Sequence, residues 1–479
     1  MSDQDVLRPF PGMVVDPEWV DRVISGPYDA YTPAQRVAMA AENPYSFLHV
    51  TRSQEDLPPE QRDDIDGLID YCADSMHRLY DAGVYRCHDE PVLFLYRMGI
   101  DTPDGRHVQT GIMGLVPVTE DGDRRILRHE AVRPGRTDLL ARHLLTVGAS
   151  SSPISLTFRS DDGLEAVIAH CCEQQPVLDS HHEGVDQTVW AVGGDDAAAL
   201  IDAFGRRTLY VTDGHHRLAA AIDARSRVPD RPDDGPLEWI QAVLFADEQL
   251  LVLPFHRRVG DQAGRNADEL VDALGASGTL TPTGGAEAAR PRAPGSVGVY
   301  LAGNWYTLEL PAAAGERAVD ALDVSRLQDG VLGPVFGVID PGNDPMIDYV
   351  PDPVGVETLV ERCDEDGRIG FVLHHTSVTE LMDVADDGDL MPPKSSYFEP
   401  KPRSGLFVRR LDRESGTVEA LRSCPATSPC GPIPVHPAAG WVRDLAGRSP
   451  GAPPVPPRWR APVGGVRRSR RHDRRRGVA

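Results

Sequence analysis

The stretch Tyr210 to Ala221, YVTDGHHRLAAA, constrains the fold more than any other. The β-branched and aromatic run Thr208, Leu209, Tyr210, Val211 reads as a short buried strand. Asp213-Gly214 breaks it, and the Ala-rich segment Leu218 to Ala224 resumes as a helix. A strand, a tight turn and a helix start aim free backbone N–H groups and the positive helix end at one spot, where anions and above all phosphate bind. The sequence puts Asp213, Gly214, His215, His216 and Arg217 there. A plain polar cap would need less than two histidines and an arginine.

Charge narrows the range of functions. The whole chain carries a net −24, yet its last 59 residues hold 12 Arg against two Asp, which leaves Met1 to Ala420 at −34. A body that acidic repels nucleic acid and suits small-molecule chemistry. No apolar run approaches a membrane span, the N-terminus does not resemble a signal peptide, and the seven Cys form no CxxC pair. These features read as a cytoplasmic protein with no membrane partner. They leave its oligomeric state open.

Of 49 basic residues only two are Lys, and both fall in MPPKSSYFEPKPRSG, as Lys394 and Lys401. A chain that otherwise uses Arg is expected to keep a compact ammonium where a guanidinium would not serve. This Pro-flanked loop, with Lys394, Ser395, Lys401, Arg403 and Ser404, is suited to closing over a phosphate. Upstream, His129-Glu130 sits among Arg124, Arg125, Arg128, Arg133 and Arg136. That cluster reads either as a surface ion-pair network or as a general base held among phosphate-binding cations. It does not complete an HExxH zinc motif. The pairs His181-His182, His215-His216 and His374-His375 raise a metal reading, but no carboxylate stands at ligand spacing beside them.

Several elements are predicted along the chain. Helices are expected at Pro33 to Ala41, capped by Thr32, and at Pro59 to Ala82, closed by Gly83. Phe47 to Thr51 reads as a strand, and Val92 to Met98 with Thr110 to Val118 as an antiparallel pair. His181-His182 falls in a loop before the strand Gln187 to Val192, and Ala276 to Gly295 reads as a linker. Val297 to Leu301 and Trp305 to Leu310 form a hairpin, and DVSRLQDGVLGPVFGVID reads as helix, turn, strand. The boundaries expected are an N-terminal α+β region at 1–120, a core at 121–260, a C-terminal α+β region at 261–411 and a disordered Pro/Arg-rich tail at 412–479.

DGHHR at a strand-to-helix junction resembles the phosphate-binding signature of the ParB/sulfiredoxin-like superfamily, in particular its free serine kinase branch. Across Arg8 to about Leu411 the chain resembles the domain-of-unknown-function 1015 family. The motifs are RPF at Arg8, PYD at Pro27, NPYSFLHV at Asn43, GIMGLV at Gly111, RHE at Arg128, TDGHHRLAAA at Thr212, LDVSRLQ at Leu322 and MPPKSSYFEPKPRSGLF at Met391. The resemblance implies an α+β chain whose mixed α/β core is ParB/sulfiredoxin-like. It also implies a kinase acting on free L-serine or a similar hydroxyl compound, with ATP or ADP as donor and Mg2+ as cofactor. Glu130 would be the base and His216 a second catalytic group. Asp213, Gly214, His215, His216, Arg217, Arg128, Lys394, Lys401 and Arg403 would hold phosphate or nucleotide, with Asp213 toward the metal. A nucleotide-dependent regulatory switch and a metal-dependent hydrolase are the rival readings. The tail after the SGLF segment, and Arg136 near the place of the family's usual lysine, depart from the family pattern.

Overall fold

Two apolar strands, Leu93–Thr102 (β1) and Gly105–Pro117 (β2), pair antiparallel with Phe94 opposite Met113, as the alternating runs predict. They form the middle of an eight-stranded sheet in a computed structural model that describes residues 6–411 except 89, 120–122, 151 and the side chain of 29. The sheet also contains Ile126–Leu127 (β3), Ile154–Phe158 (β4), Leu178–His182 (β5), Val185–Val192 (β6), Leu209–Asp213 (β7) and Trp239–Ala246 (β8). Its order is β3-β7-β4-β8-β2-β1-β6-β5. β7 runs parallel to β3, and β8 runs parallel to β4; the remaining neighbours are antiparallel. The sheet draws strands from both sides of residue 120.

Both faces are covered, and strand alternation decides which side chain goes where. Leu93 and Leu95 pack with Ile154, Leu156, Leu209, Val211 and Leu218. Phe94 and Tyr96 turn the other way, against Met76 and Leu79 of the helix Ile65–Asp81 and against Phe407. A second sheet, entirely antiparallel, runs in the order Leu280–Thr283, Asn304–Glu309, Ser296–Leu301, Ile369–Val372, Phe255–Val259, Ile347–Pro351. Between the two sheets in sequence, Leu251–Leu253 pairs with Tyr397–Glu399, placing Val252 opposite Phe398. That pairing carries the lysine-bearing segment back toward the first sheet. The chain is therefore α+β, with a mixed sheet at its core.

Local chemistry placed most elements correctly. Thr32 caps Pro33–Glu42 in a full capping box, and the 296–309 hairpin forms as expected. Four expectations need correction. Phe47–His49 is a single 3-10 turn rather than a strand, because the Ser46 side chain accepts from the Leu48 N–H and turns the apolar run at its start. His181-His182 ends strand β5 rather than lying in a loop, since Glu183 and Gly184, both at positive φ, close a tight hairpin onto β6. The supposed linker 276–295 contains the edge strand Leu280–Thr283 and the short helix Ala286–Ala289. Its Gly/Pro/Thr composition hides a strand whose partner is distant in sequence. Gly333–Phe336 extends the helical run that begins at Asp323 and ends at Gly337, so no strand follows there. The Pro/Arg-rich tail lies outside the described residues. Among the described residues no helix is long and apolar enough to cross a membrane.

Candidate active site

β7 delivers Asp213 to the sheet edge, and Gly214 turns the chain at φ +102° into the helix His215–Ser226 (α2). The turn needs glycine twice over, for its left-handed backbone and because a Cβ would lie 2.7 Å from Ile154 Cγ2. The helix Pro134–Val147 (α1) packs on α2 through Ala141, Ala220 and Ala224, whose small side chains allow close approach. His129-Glu130 and the start of α2 are thereby brought side by side. The Arg133 N–H, at the entry of α1, donates to His216 Nε2 at 3.0 Å.

His129 and His215 are buried with their rings edge to face at 4.6 Å. Burial holds the His129 imidazole down at about 3. Burial, helped by His129 and Arg128, pushes His215 well below its usual range, so both rings are neutral at physiological pH. His215 Nδ1 stands 3.4 Å from Glu130 Oε2. With its proton on Nδ1, the neutral ring presents a donor to the carboxylate. Enclosure raises the Glu130 carboxyl above the ordinary range, and neighbouring Asp213 adds to the rise; Lys394 and Lys401 oppose it. Burial alone would raise Asp213 too, yet Lys401, 3.5 Å away, and Arg217 hold it below the usual range.

Glu130, Asp213, Lys394 and Lys401 line one cleft, together with His129, Thr212, Phe255, Ser395, Ser396 and Tyr397. Both lysines of the chain thus face both carboxylates. Lys394 sits at φ +57°, a conformation a residue with a Cβ rarely adopts, and its Nζ lies 5.1 Å from the centre of the Phe255 ring. Lys401 Nζ lies 5.0 Å from the Tyr397 ring centre. The Met391 N–H donates to the His129 carbonyl at 2.7 Å, which ties the lysine segment to the His-Glu turn.

The other singled-out residues stand around this cleft rather than in its lining. Arg217 is spent on Asp213 and on the carbonyls of Ser152 and Pro153. His216 accepts from Arg133, and burial with Arg136 and Arg133 nearby lowers it to about 4. Arg128 donates to the Thr119 carbonyl at 3.2 Å. Arg403 points away, to the carbonyls of His182 and Glu183 and the Glu183 carboxylate. The arginines around Glu130 in sequence also disperse: Arg125 pairs with Asp123, Arg124 reaches the Asp386 carbonyl, and Arg136 covers Tyr28. Of those five, Arg133 is the one among the main electrostatic influences on Glu130, after the two lysines. Thr212, Phe255 and Tyr397 were not singled out from sequence. Thr212 adjoins the DGHHR motif and could have been found from its neighbour, whereas nothing local marks Phe255.

Among the described residues, no three His, Cys, Asp or Glu side chains gather as a metal-binding group. Both oxygens of Asp213 already face cations. Mg2+ usually binds through one or two carboxylates plus substrate phosphates. Asp213 and Glu130 are the carboxylates of this cleft that would hold such an ion.

Fold and cleft together define a class: a mixed-sheet α+β protein whose strand-turn-helix junction meets paired carboxylates and lysines. The chain belongs to the family described as proteins of unknown function, DUF1015, which it matches over residues 7–325. Among solved structures it is similar to a free serine kinase in complex with AMP, at 13% identity over 63% of this chain and 93% of that one, with a TM-score of 0.32. It is similar also to SbnI with C-terminal truncation from Staphylococcus aureus, at 14% identity, 65% and 92% coverage and a TM-score of 0.33. A conserved hypothetical protein from Pyrococcus furiosus matches at 12% identity, 63% and 97% coverage and a TM-score of 0.32. None of the curated proteins matches the chain in sequence. At these TM-scores the structural likenesses carry no part of the functional reading.

Proposed function

We propose that the cleft transfers a phosphoryl group from a nucleotide, ATP or ADP, to the hydroxyl of a small molecule, with free L-serine the first candidate. One observation carries this reading. The only two lysines of the chain, far from Glu130 and Asp213 in sequence, line the same cleft as those carboxylates, at the N-terminus of α2. Phosphoryl transfer needs a base at the attacking hydroxyl and fixed positive charge around the moving phosphate.

Glu130 accepts the hydroxyl proton on a carboxylate oxygen, and the hydroxyl oxygen then bonds to the terminal phosphorus. The bond to the bridging oxygen breaks, and the shortened nucleotide leaves. Neutral His215 orients the carboxylate without neutralising it. A base of raised pKa is matched to this task, because it holds a proton more strongly than a free carboxylate does. Lys394, Lys401 and the first N–H groups of α2 meet the charge on the phosphate oxygens. A small acceptor suits the modest cleft and its Thr212, Ser395 and Ser396 lining. The choice of serine rests on the resemblance of the DGHHR and RHE motifs to the free serine kinase branch.

The test is phosphorus nuclear magnetic resonance of the full chain with ATP or ADP, Mg2+ and a set of hydroxyl amino acids. A new phosphomonoester signal that requires serine is expected. In Glu130→Gln it should fall by about a hundredfold or more, since a general base contributes roughly 10²–10⁴-fold, while nucleotide binding persists. Nucleotide binding without any acceptor-dependent product would refute the kinase and favour a switch.

A further inference from the structure

The left-handed Lys394 has partners from outside its own segment. The strand Phe255–Val259 of the second sheet passes beneath it. There Arg257 is 3% exposed, and its guanidinium donates to the Lys394 carbonyl at 3.2 Å and to the Phe255 carbonyl, with its carbon 5.3 Å from the Tyr349 ring centre. Two residues earlier on the same strand, Phe255 puts its ring under the Lys394 ammonium. One short step of one strand therefore holds Lys394 at both ends, by its carbonyl and by its charge. A left-handed, non-glycine residue persists only where its surroundings enforce it, and these two contacts supply that enforcement. Arginine suits the task because its planar fork can serve two carbonyls at once.

We infer that Arg257 is a positioning residue, seating Lys394 so that its ammonium faces the phosphate in the cleft. The second sheet thereby sets the geometry of a site whose base and turn belong to the first. The role given to the ammonium rests on the phosphotransfer reading. The seating of Lys394 by Arg257 does not, and the two can be tested apart.

With only two lysines in the chain, amine acylation reads each directly. The full-length protein would be acetylated with a limiting N-hydroxysuccinimide ester, and the rates at Lys394 and Lys401 followed by peptide mass spectrometry. In Arg257→Gln the ratio of the Lys394 rate to the Lys401 rate is expected to change at least threefold, with the Lys401 rate unaltered. An unchanged ratio overturns the inference. So does an equal change at both lysines with a lowered melting temperature, which marks a merely structural role. If Arg257→Gln does not fold, Arg257→Met keeps an unbranched stem in the buried site while removing the guanidinium, and the same ratio is read. A second arm adds ATP with Mg2+. Protection of Lys394 in the wild type that is lost in Arg257→Gln supports the full proposal. A shifted ratio with no protection of either lysine by ATP refutes the phosphate-facing role and leaves the seating intact.

Discussion

Replacing Gly214 by alanine tests the junction on which the site is built. At φ +102° a side chain is strained whatever the space around it, at a cost of about 1–3 kcal/mol. Space is also lacking: the added Cβ would stand 2.7 Å from Ile154 Cγ2, 3.0 Å from Ile154 Cβ and 3.2 Å from Arg217 Nε. Ile154 cannot retreat, because it is fully buried on β4, which is paired on both sides by β7 and β8. Overpacking of that kind costs about 1–3 kcal/mol. Stiffening of the unfolded chain returns about 0.4–1 kcal/mol. The net expectation is a loss of roughly 1–5.5 kcal/mol, read as a shift of the urea midpoint at constant slope. Gly135→Ala is the internal control. That position is exposed on the first turn of α1, with no atom within 4 Å of the added Cβ, and should be neutral or slightly stabilising. A loss below about 1 kcal/mol for Gly214→Ala, or equal effects at the two glycines, would refute the claim that sheet and turn jointly impose this conformation.

Further outcomes follow from the charges in the cleft. Turnover should rise with pH through the Glu130 pKa. Lys394→Met, by removing a cation that lowers that pKa, should move the acid limb of the rate profile to higher pH; no shift, or a shift downward, would separate Lys394 from the base. Lys401→Met leaves Asp213 with Arg217 and should weaken nucleotide binding by about 1.5–3 kcal/mol, the range for a hydrogen bond to a charged group, measured by calorimetry. His129 titrates near 3 in the folded chain, against 6.5 for an unperturbed histidine, so the unfolded chain binds the extra proton. Stability from this group is complete above pH 6.5 and is lost as pH falls toward 3, at up to about 1.4 kcal/mol per pH unit. Melts of wild type and His129→Gln between about pH 7 and 4.5, a window inside that range, should diverge in slope, the variant being the flatter; parallel slopes would exclude His129 as a source of acid sensitivity.

Most of the helices and of the central strands were legible because their signals are local. Thr32 with Gln35 and Pro33, the alternation in β1 and β2, and the hairpin around Gly303, whose turn is Ala302-Gly303, each announce themselves within a few residues. The failures share a cause as well. Leu280–Thr283 is a strand only because Trp305–Leu308 pairs with it, and Phe47–His49 turns because one serine side chain outweighs its apolar neighbours. Sequence alone marked several residues that line the cleft: Glu130 beside His129 among arginines, Asp213 by the broken strand, and Lys394 and Lys401 by their rarity.

Only the tertiary structure decided which charges share the cleft. The arginines adjacent to Glu130 in sequence mostly turn to other partners, while lysines far along the chain take their place. Composition and local pattern determine what a segment can form, because capping, turn chemistry and strand alternation act over a few residues. They do not determine which cation neutralises which carboxylate. That depends on the pairing of Leu251–Leu253 with Tyr397–Glu399 and on the Arg257 guanidinium beneath Lys394. Electrostatic neighbours are set by distance in space, and here the distance is closed by long-range strand pairing.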